Sequence, residues 1–246
     1  MADALPSWFP SKIDGIKFNP FKLLLSDAIF ATHLAEENRG HIVGQTMLAR
    51  SAVIHSVFVL ECAANCCIAD LPRSNRFRDR AEKWDALEKF DLHLLSLPHQ
   101  PKLPRDHDVV TGAMSLFKQR HQYVHPRSKH YPVEMETREG KPFMTISSKE
   151  EAVIPPLPFL WTIETAKDVL TKVVAFLRLY FVELCRFDKQ KIAFLLSSTT
   201  KTPEGEYISG TGEHEKLLGL ALHLGLDIGF LGFTGYNKLP PPPKSI

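Results

Sequence analysis

The spacing of apolar residues predicts a protein made mainly of helices. Apolar positions recur every three or four residues from Phe21, the pattern breaks around Arg39-Gly40, and it resumes over residues 42–69. A second helix is predicted over residues 78–97, because apolar side chains line one side of it and a proline follows at once. This part of the chain therefore predicts a long kinked helix or a helix pair, followed by one further helix.

Three more elements are predicted in the second half of the chain. A third helix begins at Asp106 or Asp108, since a carboxylate suits a helix N-terminus, and it runs to Val124. Alternating apolar and polar residues over 133–146, on either side of a Glu-Gly pair, predict a β-hairpin. A last helix starts with Thr162 as its cap and extends toward residue 195. The pattern predicts an all-α, up-and-down four-helix bundle with a small β-hairpin insertion and a C-terminal extension.

The two ends of the chain differ from this helical part. Residues 1–20 hold three prolines and a glycine among aromatic side chains, which predicts an irregular N-terminal arm. Residues 197–246 begin with a polar stretch and continue into a glycine-spaced apolar run over 217–236. We assign residues 21–196 to the helical domain, with the hairpin insertion at about 131–149. The 197–246 extension is expected to pack on the bundle or on a partner.

The apolar run over 217–236 is long enough to suggest a membrane span. However, His223 and Asp227 lie within it, and an aspartate at the centre of a spanning helix costs about 2.5–3.5 kcal/mol. Its five glycines also weaken a spanning helix. No membrane contact is therefore expected.

Composition and charge narrow the classes of function. With 246 residues and 44% hydrophobic content, the chain can bury a sizeable core. Thirty basic and twenty-eight acidic side chains leave a formal charge of +2, which is too balanced for a protein that coats nucleic acid without specificity. Any affinity for RNA must be local. The N-terminus shows neither the basic nor the apolar region of an export signal, so a cytoplasmic location is expected.

The cysteines are predicted to be buried thiols. They lie among apolar residues of predicted helices, and no two of them have the two-residue spacing of a zinc knuckle. The four positions are Cys62, Cys66, Cys67 and Cys185.

Candidate chemistry is concentrated at Arg120 and His125. A guanidinium carries a permanent charge and a rigid fork of donors that matches phosphate oxygens. An imidazole has an ordinary pKa of roughly 6.5, near the best value for moving a proton at neutral pH. Because Pro126 follows, His125 is expected at the end of the helix. A five-residue step turns about 140° around a helix, so the two side chains converge only if the last turn loosens or a second subunit supplies one of them.

Further cationic or titratable groups surround this pair and make a phosphate-bearing ligand a natural partner. His121, Arg127, Lys129 and His130 all lie within ten residues of Arg120. The two histidines at 121 and 125 have a spacing that could also bind zinc, but Gln122 stands where a metalloprotease needs a glutamate. We therefore predict no metal and no cofactor.

These residues resemble the signature of the HEPN domain family. The run from Leu116 to Pro126 is similar to the family's motif of an arginine, a polar residue, three more residues and a histidine. The segment from Ser56 to Asn65 resembles the family's first long helix, in which a Glu and an Asn one turn apart interrupt an apolar stripe, and 80–89 resembles the second helix. The likeness covers residues 24–196.

The resemblance implies an all-helical homodimer in which two Arg/His pairs face each other across the interface. It further implies a metal-independent endoribonuclease, used as a toxin or in phage defence, although many relatives are inactive modules that bind a nucleotide or a protein. One toxin subgroup has a tyrosine two residues after the histidine that a partner enzyme modifies. Arg127 occupies that position here. Neutralisation by an antitoxin of that kind is therefore not expected, while another antitoxin or protein partner stays open.

Two hypotheses follow for the role of this region. In the first, His125 activates the ribose 2′-hydroxyl or protonates the leaving oxygen, Arg120 holds the phosphate, and His121 orients or shares the proton transfer. In the second, the protein is a non-catalytic helical module that binds a nucleotide or a protein partner, through the same cationic pocket or through the 217–236 run. Glu61 and Asn65 either orient the Arg/His pair or satisfy a neighbouring helix end, and Tyr123 could stack on a base.

Overall fold

A computed structural model describes residues 13, 15–124, 133–138, 141–146, 154, 155, 157–203, 207–209, 214–233 and 237–239. This part of the chain is mostly helical, as predicted. Its α-helices are α1 Phe21–Glu37, α2 Ile42–Asp70, α3 Asn75–Ala81, α4 Ala86–Ser96, α5 Asp108–Val124, α6 Ile163–Arg178, α7 Lys189–Leu196 and α8 His214–His223. Its strands are β1 Gly15–Lys17, β2 Val133–Arg138, β3 Lys141–Ile146, β4 Thr199–Lys201, β5 Tyr207–Ser209 and β6 Asn237–Leu239.

Helices α1 and α2 form the predicted pair rather than one kinked helix. Gly40 has a φ of +105°, a conformation that other residues rarely adopt, and it separates the two helices. His41 then caps α2, because its Nδ1 accepts a hydrogen bond from the Gly44 backbone N–H at 3.1 Å. The two helices pack along most of their length, so the break at Gly40 turns the chain back on itself.

The predicted helix over residues 78–97 is wrong as a single element. The structure has two helices there, α3 and α4, separated by residues 82–85. Glu88 accepts a hydrogen bond from the Asp85 backbone N–H at 3.2 Å, which is half of a capping box and starts a new helix at Ala86. Trp84 consequently lies in the break and is 41% exposed instead of facing the core.

The later helices follow the predicted boundaries at their starts. Helix α5 begins at Asp108, and Thr162 caps α6 by accepting a hydrogen bond from the Thr165 backbone N–H. Beyond Arg178 the chain continues as a π-helical segment, Leu179–Leu184. Asp188 then caps α7, so the predicted long last helix is divided into three pieces.

The main core surrounds α2, and α1, α4, α5 and α6 all pack against this helix. Helix α2 passes through its middle. By length and composition α2 is the one helix in the described part that could cross a membrane, but 67% of its most apolar window is buried within the fold. The four cysteines are buried free thiols, as predicted.

The strands form two small antiparallel sheets in the described residues. Strands β2 and β3 pair with Val133 opposite Ile146, which confirms the predicted hairpin. The other sheet has the order β1, β4, β5, β6, so a strand within the predicted N-terminal arm pairs with the C-terminal extension. The extension also packs on the main core through buried apolar side chains. These are Leu217, Ala221, Leu226, Ile228, Phe230, Leu231 and Phe233.

Candidate functional site

Arg120 extends from α5, just before its last turn, onto the surface of α2. Its guanidinium carbon lies 5.6 Å from the centre of the Phe58 ring, and its Nε lies 3.0 Å from Glu61 Oε1. Both contacts fall on one stripe of α2, because positions 58 and 61 are nearly one helical turn apart. The first of the two predicted catalytic groups is therefore held by a cation–π contact and an ion pair.

The Glu61–Arg120 contact is an ion pair rather than a directed hydrogen bond. Arg120 Nε is buried, and its N–H has no hydrogen-bond acceptor of suitable geometry among the described residues, although Glu61 Oε1 is close enough. The two side chains are 25% and 29% exposed, so solvent still reaches them. Burial raises the pKa of Glu61, and the charges of Arg120 and Lys89 oppose this only in part. Ionising the Glu61 carboxyl group in the folded protein therefore costs more free energy than ionising it in water.

A second cation, Lys89 of α4, lies on the same side of α2. Its residue is only 6% exposed, and its Nζ donates hydrogen bonds to Asn65 Oδ1 at 2.8 Å and to the Glu82 carbonyl at 2.7 Å. Burial lowers the pKa of Lys89, while Glu61, Glu82 and Asp85 raise it. The two hydrogen bonds and the nearby carboxylates offset part of the cost of burying the Lys89 ammonium group.

The stripe of α2 formed by Phe58, Glu61 and Asn65 therefore receives cations from two other helices. Arg120 contacts the first two positions and Lys89 contacts the third. Glu61 and Asn65, for which a helix-end role was the alternative, each contact a side-chain cation. Such a group of charges can bind and orient a phosphate beside the end of α5.

The other predicted site residues of α5 lie at its exposed end. Helix α5 ends at Val124, one residue before His125, as Pro126 predicts. His121 is exposed, and Tyr123 is 41% exposed with its ring stacked on Trp161 at a centroid distance of 5.7 Å. Tyr123 thus already has an aromatic partner within the fold. The remaining predicted residues, His125, Arg127, Lys129 and His130, lie outside the described residues.

Sequence reasoning missed Lys89 as a site residue. The signal was present, since Lys89 and His93 are four residues apart in α4, where both are buried beside Phe90 and Leu94. A lysine at a buried helical position needs polar partners, and Asn65 of the α2 stripe provides one.

A second buried polar group surrounds His93 and is separate from Arg120. His93 Nδ1 lies 2.8 Å from the Tyr180 hydroxyl oxygen, and that hydroxyl donates to the Phe90 carbonyl at 3.1 Å. His93 Nε2 lies 3.8 Å from Asp70, which is too long for a hydrogen bond but close enough for electrostatic attraction. Lys191 completes the group with hydrogen bonds to both Asp70 oxygens. These contacts join α2, α4, the π-helical segment and α7.

Within the described part of the chain, no three His, Cys, Asp or Glu side chains are grouped so that they could hold a metal ion. No family model, curated protein or solved structure matches this chain.

Proposed function

We propose that this protein is a HEPN-like, metal-independent endoribonuclease that acts as a homodimer. The observation that carries the proposal is the Glu61–Arg120 ion pair, which fixes the guanidinium of the Arg-x4-His motif at the end of α5. The glutamate belongs to the α2 stripe on which the family resemblance rests. A toxin or phage-defence role follows from the same resemblance.

The packing of the long helices supports this proposal. Helices α1, α4, α5 and α6 pack around α2 in one core, which suits the helical bundle of a HEPN-like domain. Arg120 lies just before the final turn of α5, and His125 is the next residue of the chain after the helix. A dimer that joins two such helix ends would bring two arginines and two histidines to one groove.

In the proposed reaction the phosphodiester is cut by the neighbouring ribose 2′-hydroxyl. Arg120 balances charge on the non-bridging oxygens, and the 2′-oxygen attacks phosphorus while His125 takes its proton. The P–O5′ bond breaks, and the leaving oxygen receives a proton from a histidine, either His125 or His121. The products are a 2′,3′-cyclic phosphate and a 5′-hydroxyl, and neither a metal nor an added nucleophile is consumed.

Cleavage of RNA in the presence of EDTA tests the proposal. Purified protein is incubated with single-stranded and with structured RNA, and the product ends are identified by mass spectrometry. Arg120→Ala and His125→Ala are expected to lower the rate by at least about 100-fold, as loss of a catalytic charge or proton carrier does. Arg39→Ala is the matched control, because Arg39 also pairs with a carboxylate, Glu164, but is 58% exposed.

Two results would remove the ribonuclease proposal. One is the absence of cleavage by the wild-type protein as a dimer. The other is equal cleavage by the Arg120→Ala, His125→Ala and Arg39→Ala variants, which would indicate a contaminating nuclease.

The second candidate is a non-catalytic module that binds RNA, a nucleotide or a protein. The Glu61–Arg120 ion pair also favours this function, because a carboxylate that neutralises Arg120 competes with phosphate for it. Binding of RNA by filter retention, without cleavage and with loss of affinity in Arg120→Ala, would support this candidate over the enzyme.

A further inference from the structure

We propose that Glu61 is a built-in counter-ion that occupies an oxyanion site formed by Arg120 and Lys89. The Glu61 carboxylate then occupies the position of a ligand phosphate, and a phosphate group binds by displacing this carboxylate from Arg120. The inference refines the site of the proposed function, but it concerns anion binding and does not require cleavage.

Along α2, Glu61 lies between Phe58, which Arg120 also contacts, and Asn65, which Lys89 contacts. Arg120 Nε lies 3.0 Å from Glu61 Oε1, on the α5 side. Lys89 reaches α2 at Asn65, which is one helical turn or about 5.4 Å along the axis from Glu61. Lys89 therefore acts on Glu61 through space, while Arg120 touches it. The Glu61 carboxylate therefore interacts electrostatically with two cations, Arg120 of α5 and Lys89 of α4.

The balance of charge favours exchange of Glu61 for a ligand anion. Among the charged groups around Lys89, Glu82 and Asp85 are exposed, so water screens them, whereas Glu61 is partly buried. A carboxylate brings one negative charge and a planar pair of oxygens. A phosphate or sulfate brings more charge and more oxygens to the same donors, and an arginine fork suits it well.

The site keeps contact with solvent. Arg120 lies against the Phe58 ring and Lys89 is almost fully buried, but Glu61 and Arg120 each keep about a quarter of their surface exposed. An anion from solvent can therefore reach Arg120, while Lys89 adds its charge through space.

Sulfate titration of the full-length protein tests the inference. Sulfate keeps its double charge over the neutral range, so its own protonation does not interfere. Binding is followed by NMR through the arginine Nε–H signals, with sodium chloride at matched ionic strength as the reference. Glu61→Gln is expected to bind sulfate at least about tenfold more tightly than wild type, because it removes a competing charge at contact distance.

Three companion variants make the result specific. Arg120→Ala in the Glu61→Gln background should abolish the gain, and Lys89→Met in that background should reduce it. Glu164→Gln is the matched control, since Glu164 pairs with Arg39 at 3.6 Å but is 69% exposed. It should leave sulfate affinity unchanged. Should Glu61→Gln fail to fold, Glu61→Asp withdraws the carboxylate from Arg120 and should give a smaller gain of about threefold.

The inference is overturned if the folded Glu61 variant gains no sulfate affinity, or if the gain persists without Arg120. The two proposals can fail separately. If Glu61→Gln binds sulfate more tightly but the protein cleaves no RNA, the counter-ion proposal is supported and the ribonuclease proposal is removed. If cleavage depends on Arg120 but Glu61→Gln gains no sulfate affinity, the ribonuclease proposal is supported and the counter-ion proposal is removed.

Discussion

Glu61 of α2 and Arg120 of α5 form an ion pair with 3.0 Å between Oε1 and Nε, and it connects the centre of the fold to the end of the helix that carries the candidate motif. Burial raises the pKa of Glu61 despite two nearby cations, Arg120 and Lys89. The ion pair therefore offsets only part of the cost of burying the carboxylate.

The pH dependence of stability should reveal this cost. An acid with a raised pKa binds its proton more tightly in the folded state than in the unfolded state, so folding stability falls as pH rises through the range above the ordinary value of 4.5. The stability of wild type relative to Glu61→Gln should thus decline as pH rises above about 4.5. Urea denaturation at several pH values measures it. A constant difference, or one that grows with pH, would contradict the raised pKa.

Asp70 should show the opposite dependence. Burial alone would raise its pKa, but His93 and Lys191 outweigh burial and lower the pKa to about 2. A carboxyl group whose pKa is lowered in the folded state stabilises the fold above its unfolded pKa of 3.8. This contribution is lost as pH falls toward 2. Asp70→Asn should therefore cost about 2 kcal/mol at pH 7 and much less near pH 2, by guanidinium denaturation. Asp168→Asn, at an exposed ion pair on α6, should change stability by less than about 1 kcal/mol at either pH.

Loss of the Tyr180 hydroxyl should destabilise the core. The hydroxyl is buried, contacts His93 Nδ1 at 2.8 Å and donates to the Phe90 carbonyl at 3.1 Å. Tyr180→Phe leaves both groups without this partner and should lower the free energy of unfolding by about 1–3 kcal/mol. Tyr123→Phe, at an exposed tyrosine, should stay within about 0.5 kcal/mol of wild type. Equal effects of the two changes would mean that the His93 group does not contribute to stability.

Gly232 should be essential for attachment of the C-terminal extension. Its φ is +67°, and a Cβ added there would overlap the backbone carbonyl of Lys189 in α7. Gly232→Ala is expected to lower stability by about 2 kcal/mol or more. Gly219→Ala makes a good control, because Gly219 lies in α8 with open space around it, and a helical alanine should add about 0.5–1 kcal/mol. Thermal unfolding followed by circular dichroism distinguishes them, and a neutral Gly232→Ala would show that the extension is loosely packed.

Several features of the fold follow from local sequence. The break at Gly40, the cap at Thr162, the end of α5 before Pro126 and the pairing of 133–138 with 141–146 were all predictable. The local sequence also contained a signal for the break between α3 and α4, since Asp85 and Glu88 have the spacing of a capping box. The apolar periodicity continues across this break and therefore favoured a single helix.

By itself the sequence determined the helical character of the chain, the starts of α5 and α6, the β2–β3 hairpin and the burial of the four thiols. Those properties depend on side chains a few residues apart, through backbone geometry and the repeat of apolar positions. Only the tertiary structure decided that Arg120 meets Glu61 and Phe58, that Lys89 meets Asn65, and that β1 pairs with β4. Such contacts join segments that are distant in the chain, and they depend on how whole helices are oriented against one another, which no local pattern specifies.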